Sequence, residues 1–418
     1  TLGSDTYAKI PDAAFESCLF DADPLFADAA NNDYHLKSKD GRYEDGTWVT
    51  DGSTSPAIDA GDPFSRYSLE TLPNGGRVNM GCYGNTLQAS RSITIDSDWT
   101  SLDGAGRYDT MKKIVAAGWT SKTDTVIVAT GGNFPDALAA SSLAGIKDAP
   151  VVLTSAGILS QQAKSTIEGL EPNNIYIIGG LSAISLDVEN SLKDLVADPT
   201  NVKRLDGENR YASALRIYYE CAESETSANL WGDVAIVASG MSFADALSVS
   251  PFAYVKKAPI FLSNPVTGLN SATKQAIQNG GFKTVIIVGG PIAVPSTVEA
   301  DLFSGASDIE VVTRLYGANR YVTSAAIALY SIDHSDGALD YNKIVTATGL
   351  NFPDALSGGA FAGRIGTILL LVDDSVNGRA GLEAVISHYA ERIGTGYFLG
   401  GTSALPQNLR DAVIAASR

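Results

Sequence analysis

The sequence predicts an α/β protein: three tandem units, each a small parallel sheet covered on both faces by helices, behind a short, mainly-β N-terminal segment. Three observations predict it. First, "GGNFPDALAAS" at 131–141 returns as "GMSFADALSVS" at 240–250 and "GLNFPDALSGG" at 349–359, so each copy starts 109 residues after the last. That period is too long for a solenoid rung and suits a small domain repeated three times. Second, within each copy continuous apolar runs alternate with helical patterns, as expected of strands buried on both faces of a parallel sheet with right-handed crossovers. Third, residues 1–95 are rich in Asp, Asn, Gly and Pro and carry no long helical pattern.

With 418 residues the chain exceeds one ordinary core. The expected divisions are 1–95, 99–200, 201–310 and 311–418. In the first, "DADPLFADAANNDYHLKS" and "SPAIDAGDP" read as turns between short strands. Residues 21–84, with "NMGCYGN" at 79–85, resemble the C-terminal end of right-handed parallel β-helix proteins, which implies that most of such a helix lies upstream. The second repeat shows the repeated order most clearly. "NRYASALRIYYECA" reads as a helix, "DVAIVAS" as a strand and "SFADALSVSPFAYVKK" as a helix. "APIFLSN" is then a strand, "NSATKQAIQNG" a helix, "TVIIVGG" a strand and "VPSTVEADLF" a helix. The other copies keep the order: "GRY" at 106–108 matches "NRY" at 209–211 and 319–321, and "YIIGG" at 176–180 matches "IIVGG" at 286–290 and "YFLGG" at 397–401. A further strand, "VKRLDG" at 202–207 and "VVTRLYG" at 311–317, links successive copies.

Composition excludes several classes. The formal charge of −17 argues against a general nucleic-acid binder, and any anionic ligand must be held by local donors. The longest apolar stretches, such as "TILLLV" at 367–372, have the length of buried strands and not of a membrane span. The opening "TLGSDTYAKI" is not a signal peptide, so the chain reads as a mature product or an excised piece. Cys18, Cys82 and Cys221 fit no metal motif, and His35, His334 and His388 are scattered. Asp96, Asp98 and Asp103 fall short of a calcium loop. No nucleophile with a base partner emerges, and no cofactor is expected.

Three constellations stand out. Asp136, Asp245 and Asp354 each lie three residues after Asn133, Ser242 or Asn351, the spacing of a capping box with Asp replacing Glu or Gln. The carboxylates therefore read as helix caps, or as the lining of a ligand groove at the carboxyl ends of the strands. Arg107, Arg210 and Arg320 open the first helix of each copy, where a cation opposes the helix dipole. Their recurrence calls for a salt bridge to a motif Asp of the same or a neighbouring repeat, or for capture of phosphate or carboxylate. The neighbouring Tyr108, Tyr211 and Tyr321 read as core, with sugar stacking as the other option. Arg204 and Arg314 precede this pair in the later copies, where the first has Ser101. The Gly-Gly pairs match no phosphate-loop pattern and read as tight strand-to-helix turns.

Taken together, "RLDGENRYASA", "SGMSFADALSVSPFA", "APIFLS" and "VIIVGG", in three tandem copies over 99–418, closely resemble the cell-wall-binding repeat type 2 family. The resemblance implies Rossmann-like or Toprim-like units in a pseudo-threefold arrangement within one monomer. It also implies non-covalent retention of an anionic cell-wall polysaccharide or teichoic-acid-like polymer at the outer surface of a Gram-positive cell. By this resemblance the polymer contacts lie near the segments Val151–Leu153, Ile260–Leu262 and Ile368–Leu370, which adds Leu153, Leu262 and Leu370 to the six charged candidates. The third segment is preceded by Thr367 and not by proline. The expected function is non-enzymatic anchoring of a surface protein. The alternatives are a wall hydrolase or polysaccharide lyase with its activity in an upstream β-helix, and an adhesin or surface-layer component that uses the repeats as anchor. Three grooves facing a repeating polymer would gain ~10²–10⁴ in avidity over one.

Overall fold

The computed structural model describes residues 18–19, 22–61, 65, 67, 69–71, 77–92, 98–222, 229–303, 308–388 and 393–416. Two compact units result. One comprises Thr1–Asp98, Ile386–Gly394 and Asp411–Arg418, and the other Trp99–Val385 and Thr395–Arg410.

In the first unit, strand β1 (Phe26–Asp28) pairs antiparallel with β2 (Asp33–Leu36), and β3 (Arg42–Glu44) with β4 (Thr47–Val49). These hairpins correct the β-helix expectation, because rungs of a β-helix pair in parallel and no described strand of residues 18–92 does so. Their polar texture follows from a small core of Leu36, Ala57 and Ile58. The buried Arg42 sits among carboxylates, at 3.2 Å from Asp51 and from Glu44. His35 stacks on Tyr83, with ring centroids 3.6 Å apart.

The second unit holds the repeats. It opens with the early strand β5 (Asp98–Leu102). Strands β6 (Thr125–Thr130), β7 (Val151–Thr154), β8 (Asn174–Ile178) and β9 (Val202–Leu205) form the first sheet, in the order β7-β6-β8-β9. Strands β10 (Val234–Ser239), β11 (Ile260–Ser263), β12 (Thr284–Val288) and β13 (Val311–Leu315) form the second, in the order β11-β10-β12-β13. The third joins β14 (Asp340–Thr348), β15 (Thr367–Val372) and β16 (Thr395–Leu399) to β5, in the order β15-β14-β16-β5. The recorded pairings in the first two sheets are all parallel. The strand centres Val126–Ala129, Ala235–Ala238 and Val285–Val288 are fully buried, which is why these runs do not alternate in sequence.

Each sheet thus takes its fourth strand from the next repeat, and the third sheet takes it from the start of the first. The same hydrogen bond marks all three handovers. Gly179, Gly289 and Gly400 donate their N–H groups to the carbonyls of Leu205, Leu315 and Leu102 at 3.0, 2.9 and 3.0 Å. The first helix of each repeat (Arg107–Gly118, Arg210–Ala222 and Arg320–His334) likewise packs on the motif helix of the preceding repeat. The repeats are therefore interlocked in a closed pseudo-threefold ring.

The recurring "FPDAL"-type motif builds the axis of that ring. Its helices are Ala140–Lys147 after a 3-10 turn at Asp136–Ala139, then Ala244–Ser248 with Ser250–Val255, and Pro353–Arg364. They pack on one another, and the small residues after each Asp let them approach. Gly145 lies against the Tyr254 backbone and Gly359 against Ser250, with no room for a Cβ. At one end, Phe134, Phe243 and Phe352 form a closed triangle with centroids 5.5, 5.5 and 6.1 Å apart. At the other end, Asp148 accepts from Tyr254 at 2.5 Å and from Arg364 at 2.6 Å, joining one residue from each repeat.

Candidate functional site

The handovers create three junctions, each at the carboxyl ends of the strands, where open α/β sheets hold ligands. Every junction takes a motif Asp and a Gly-Gly turn from one repeat, and an arginine from the next. The first glycine of each turn has a left-handed backbone, with φ of 96° at Gly179, 109° at Gly289 and 98° at Gly400. Each also has a carboxylate where a side chain would stand. A Cβ would lie 3.0 Å from Asp136 Oδ2 at Gly179 and 2.7 Å from Asp245 Oδ2 at Gly289, and at Gly400 it would meet Asp354 Oδ2. The Gly-Gly pairs are tight turns, and they make room for the motif Asp.

The capping box does not form. The N-cap positions are Pro135, Phe243 and Phe352, and none makes a side-chain cap bond. Asn133 and Asn351 accept only from the next residue, at Phe134 N (3.0 Å) and Phe352 N (2.9 Å). The motif helices begin one or two residues later than the capping-box spacing predicts, so the Asp faces the glycine instead of closing a box. It still lies in the first helical turn, where a negative charge suits the dipole.

Nor do the arginines form contact ion pairs with these carboxylates among the described residues. Arg210 donates from Nη1 to the Gly240 carbonyl and Arg320 to that of Gly349, both at 2.6 Å, and Arg107 donates to Gly131. Each guanidinium is thereby pinned to the end of β6, β10 or β14, the strand that follows its own helix. That bond is why a cation recurs at this helix start against the dipole. Arg107 and Arg320 are exposed and Arg210 is half-buried, so donors remain open to solvent. Tyr108, Tyr211 and Tyr321 pack against the same three glycines.

Two of the carboxylates nevertheless feel an arginine of the next repeat. Burial pushes Asp245 up to about 6, partly offset by the positive charge of Arg320. Burial likewise pushes Asp354 up to about 6, partly offset by Arg107. Neither carboxylate has a hydrogen bond among the described residues.

A second guanidinium lies behind each turn. Arg204 Nη1 donates to the Gly179 carbonyl at 2.7 Å, and Arg204 pairs with Glu189 at 2.8 Å. Arg314 Nη1 donates to Gly289 at 2.8 Å, and Arg314 pairs with Glu299 at 2.6 Å. At the ring closure Ser101 stands where these arginines would be, yet the guanidinium is present. Arg410, from the helix position of Glu189 and Glu299, donates to the Gly400 carbonyl at 2.6 Å and to Ser101 Oγ at 2.5 Å. Arg410 escaped notice in the sequence because its signal is an exchange between two positions 309 residues apart. The Phe triangle escaped too, although a phenylalanine recurs in every motif copy.

Leu153, Leu262 and Leu370 are 0, 1 and 0% exposed, inside β7, β11 and β15. They offer no surface to a polymer in this structure and hold the sheets that carry the junctions. The loops around the junctions expose Ile158, Leu181, Met241, Val266, Ile292 and Leu350. Among the described residues no group of three or more His, Cys, Asp or Glu is placed to hold a metal ion. Asp96 of the acidic run lies outside the described residues. No described helix is long and apolar enough to cross a membrane.

Interlocked α/β repeats closed into a ring, with each candidate site shared by two successive copies, define a cyclic three-repeat protein. The chain belongs to the cell wall binding domain 2 (CWB2) family, whose model matches residues 101–189, 204–299 and 314–410. Residues 11–61 match a second model, described as disaggregatase related. Among curated proteins of Bacillus subtilis (strain 168), the chain is 29% identical to N-acetylmuramoyl-L-alanine amidase LytC over 292 residues, 70% of this chain and 54% of that protein. It is 33% identical to the amidase enhancer over 277 residues, 65% of this chain and 34% of that protein. The chain thus spans about half of one curated relative and a third of the other. Its fold is that of Cwp6 from Clostridium difficile, with a TM-score of 0.67, 21% identity, and coverage of 80% of this chain and 50% of that one. Cwp8 from the same organism gives a TM-score of 0.63, 23% identity, and coverage of 76% and 51%. Cell wall binding is the function this family carries.

Proposed function

We propose that the three junctions are binding sites for a repeating anionic glycopolymer of the bacterial wall, and that the protein attaches to the cell surface by occupying them together. Asp245 carries the reading. It is 8% exposed, lacks a hydrogen bond among the described residues, and sits one repeat away from the exposed Arg320. A buried carboxylate without a donor is unfavourable, so its presence in a folded core favours a role that a ligand completes. A sugar hydroxyl can donate to it, while the open side of the guanidinium takes a phosphate or carboxylate of the same polymer. Arg107, Arg210, Arg320, Asp136 and Asp354 act in the same way, and Leu153, Leu262 and Leu370 act from behind by fixing the strands. Three such sites on one body overcome the net charge of −17 locally, through effective concentration.

The test is sedimentation with purified Gram-positive walls before and after acid stripping of their anionic polymers. Retention on intact walls alone supports the proposal, and equal retention on both overturns it. A second reading, delivery of a hydrolase to the wall, is favoured by the amidase names of the two curated relatives. It expects added protein to change the rate at which an amidase digests intact walls.

A further inference from the structure

We infer that the junction between the second and third repeats contains a sugar-ring subsite built on Tyr316, so that the three junctions are chemically unequal. The inference rests on the polymer-binding reading and names the part of the ligand that one junction takes.

The residue facing the second glycine of each turn differs. Asp206 stands 3.7 Å from the Cβ position of Gly180, and Asp103 stands 3.8 Å from that of Gly401. At the remaining junction the same place, just after β13, holds Tyr316, whose ring lies 3.1 Å from the Cβ position of Gly290. Gly290 has no side chain to cover the ring, and Tyr316 is 53% exposed. A half-exposed aromatic ring set beside a polar turn offers a flat apolar face with a polar hydroxyl at its rim, the combination that a sugar ring can cover.

The surroundings specify what covers it. Ile292, two residues after Gly290, is 93% exposed. Asp245 lies beneath Gly289 as an acceptor without a donor, and Arg320 follows Tyr316 by four residues on the open side. Arg320 is further held 5.5 Å from the centre of the Phe243 ring. An apolar face and a carboxylate on the two glycines of one turn, with a guanidinium four residues further along the chain, match the C–H face, the hydroxyls and an anionic substituent of a pyranose. At the other two junctions Asp206 or Asp103 replaces the aromatic ring. Those junctions offer acceptors for hydroxyls, lack the stacking face, and repel the anionic substituent. The Tyr316 junction is therefore the one that engages a sugar ring most tightly.

The experiment measures binding isotherms of the whole chain on purified Gram-positive walls, intact and acid-stripped. Tyr316→Ala should weaken retention on intact walls about tenfold, the scale of one lost aromatic contact, while Tyr316→Trp stays near wild type. Asp206→Tyr should strengthen retention. Unchanged unfolding midpoints for these exposed substitutions separate lost binding from lost folding. Wild-type affinity in Tyr316→Ala overturns the subsite while leaving polymer binding intact. Failure of the unaltered chain to prefer intact walls overturns the polymer-binding reading, and the subsite with it.

Discussion

Asp245 of the second repeat is buried against Gly289, and the cation that partly offsets its burial, Arg320, belongs to the third repeat. Folding of one repeat and charge in the next are therefore coupled. Asp245 has an ordinary value of 3.8 and rises to about 6 in the folded protein. A carboxyl group so raised binds its proton more tightly when folded. Its contribution to stability is complete below 3.8 and is lost as pH rises through about 6. At about 1.4 kcal/mol per unit, the loss is on the order of 2–3 kcal/mol. Asp354 follows the same direction. The Asp245→Asn, Asp354→Asn double variant should be more stable than wild type at neutral pH and show a flatter pH profile in urea unfolding. An unaltered slope would show that these carboxylates do not titrate in this window.

The same carboxylates should be worth more bound than free. If Asp245 accepts from the polymer, its Asn variant gains stability and loses affinity, the usual trade at a functional site. Wall sedimentation and urea midpoints on the one variant decide this. A gain in stability with wild-type retention would make Asp245 purely structural.

The arginines should behave as a set. Replacing Arg107, Arg210 or Arg320 singly with Gln should weaken wall retention several-fold, and replacing all three should lower it by ~10² or more, since avidity depends on sites engaged together. Gln ends about two atoms short of the Nη1 that reaches the glycine carbonyl, so urea midpoints measured beside retention separate lost binding from lost folding. A triple variant that unfolds early, with retention proportional to its folded fraction, would assign these arginines to the ring alone.

The repeats, their strands and the Gly-Gly turns were legible because they follow from local pattern and period. The arrangement of the copies was less so. Phe134, Phe243 and Phe352 meet only because three helices converge, and nothing local to "NFP" or "SFA" encodes that meeting. The capping-box spacing at Asp136 was real as a pattern, but tertiary packing turned the carboxylate toward Gly179. Leu153 and its counterparts are polymer-binding candidates by resemblance, and the continuous apolar runs around them indicate strands buried on both faces, as they are.

Close helix approach at the axis gives a further expectation. A Cβ on Gly145 would collide with the backbone of Tyr254, which cannot rotate away as a side chain would. Gly145→Ala should destabilise the unit by about 1–3 kcal/mol despite the better helix propensity of alanine. Gly169→Ala, in a helix with nothing within 4 Å of the added Cβ, is the control and should be neutral or stabilising. Equal effects in thermal unfolding would remove the steric account of the axis.

The ring closure makes the sharpest test, because the chain already contains both solutions to one problem. Each Gly-Gly turn leaves a carbonyl that needs a donor, and Arg204 and Arg314 supply it from a strand while Glu189 and Glu299 hold them in place. At the closure Arg410 supplies it from the helix, and Ser101 is small enough to admit it. Arg410→Glu should leave the Gly400 and Leu405 carbonyls without their donor and bury an unpaired carboxylate, destabilising by about 3 kcal/mol or more. Ser101→Arg alone should also destabilise, by placing two guanidinium groups in one site. Combined, Ser101→Arg and Arg410→Glu recreate the Arg204–Glu189 pair and should recover most of the loss. A double-mutant cycle in urea measures the recovery directly, and strictly additive losses would mean that the two positions do not share one site.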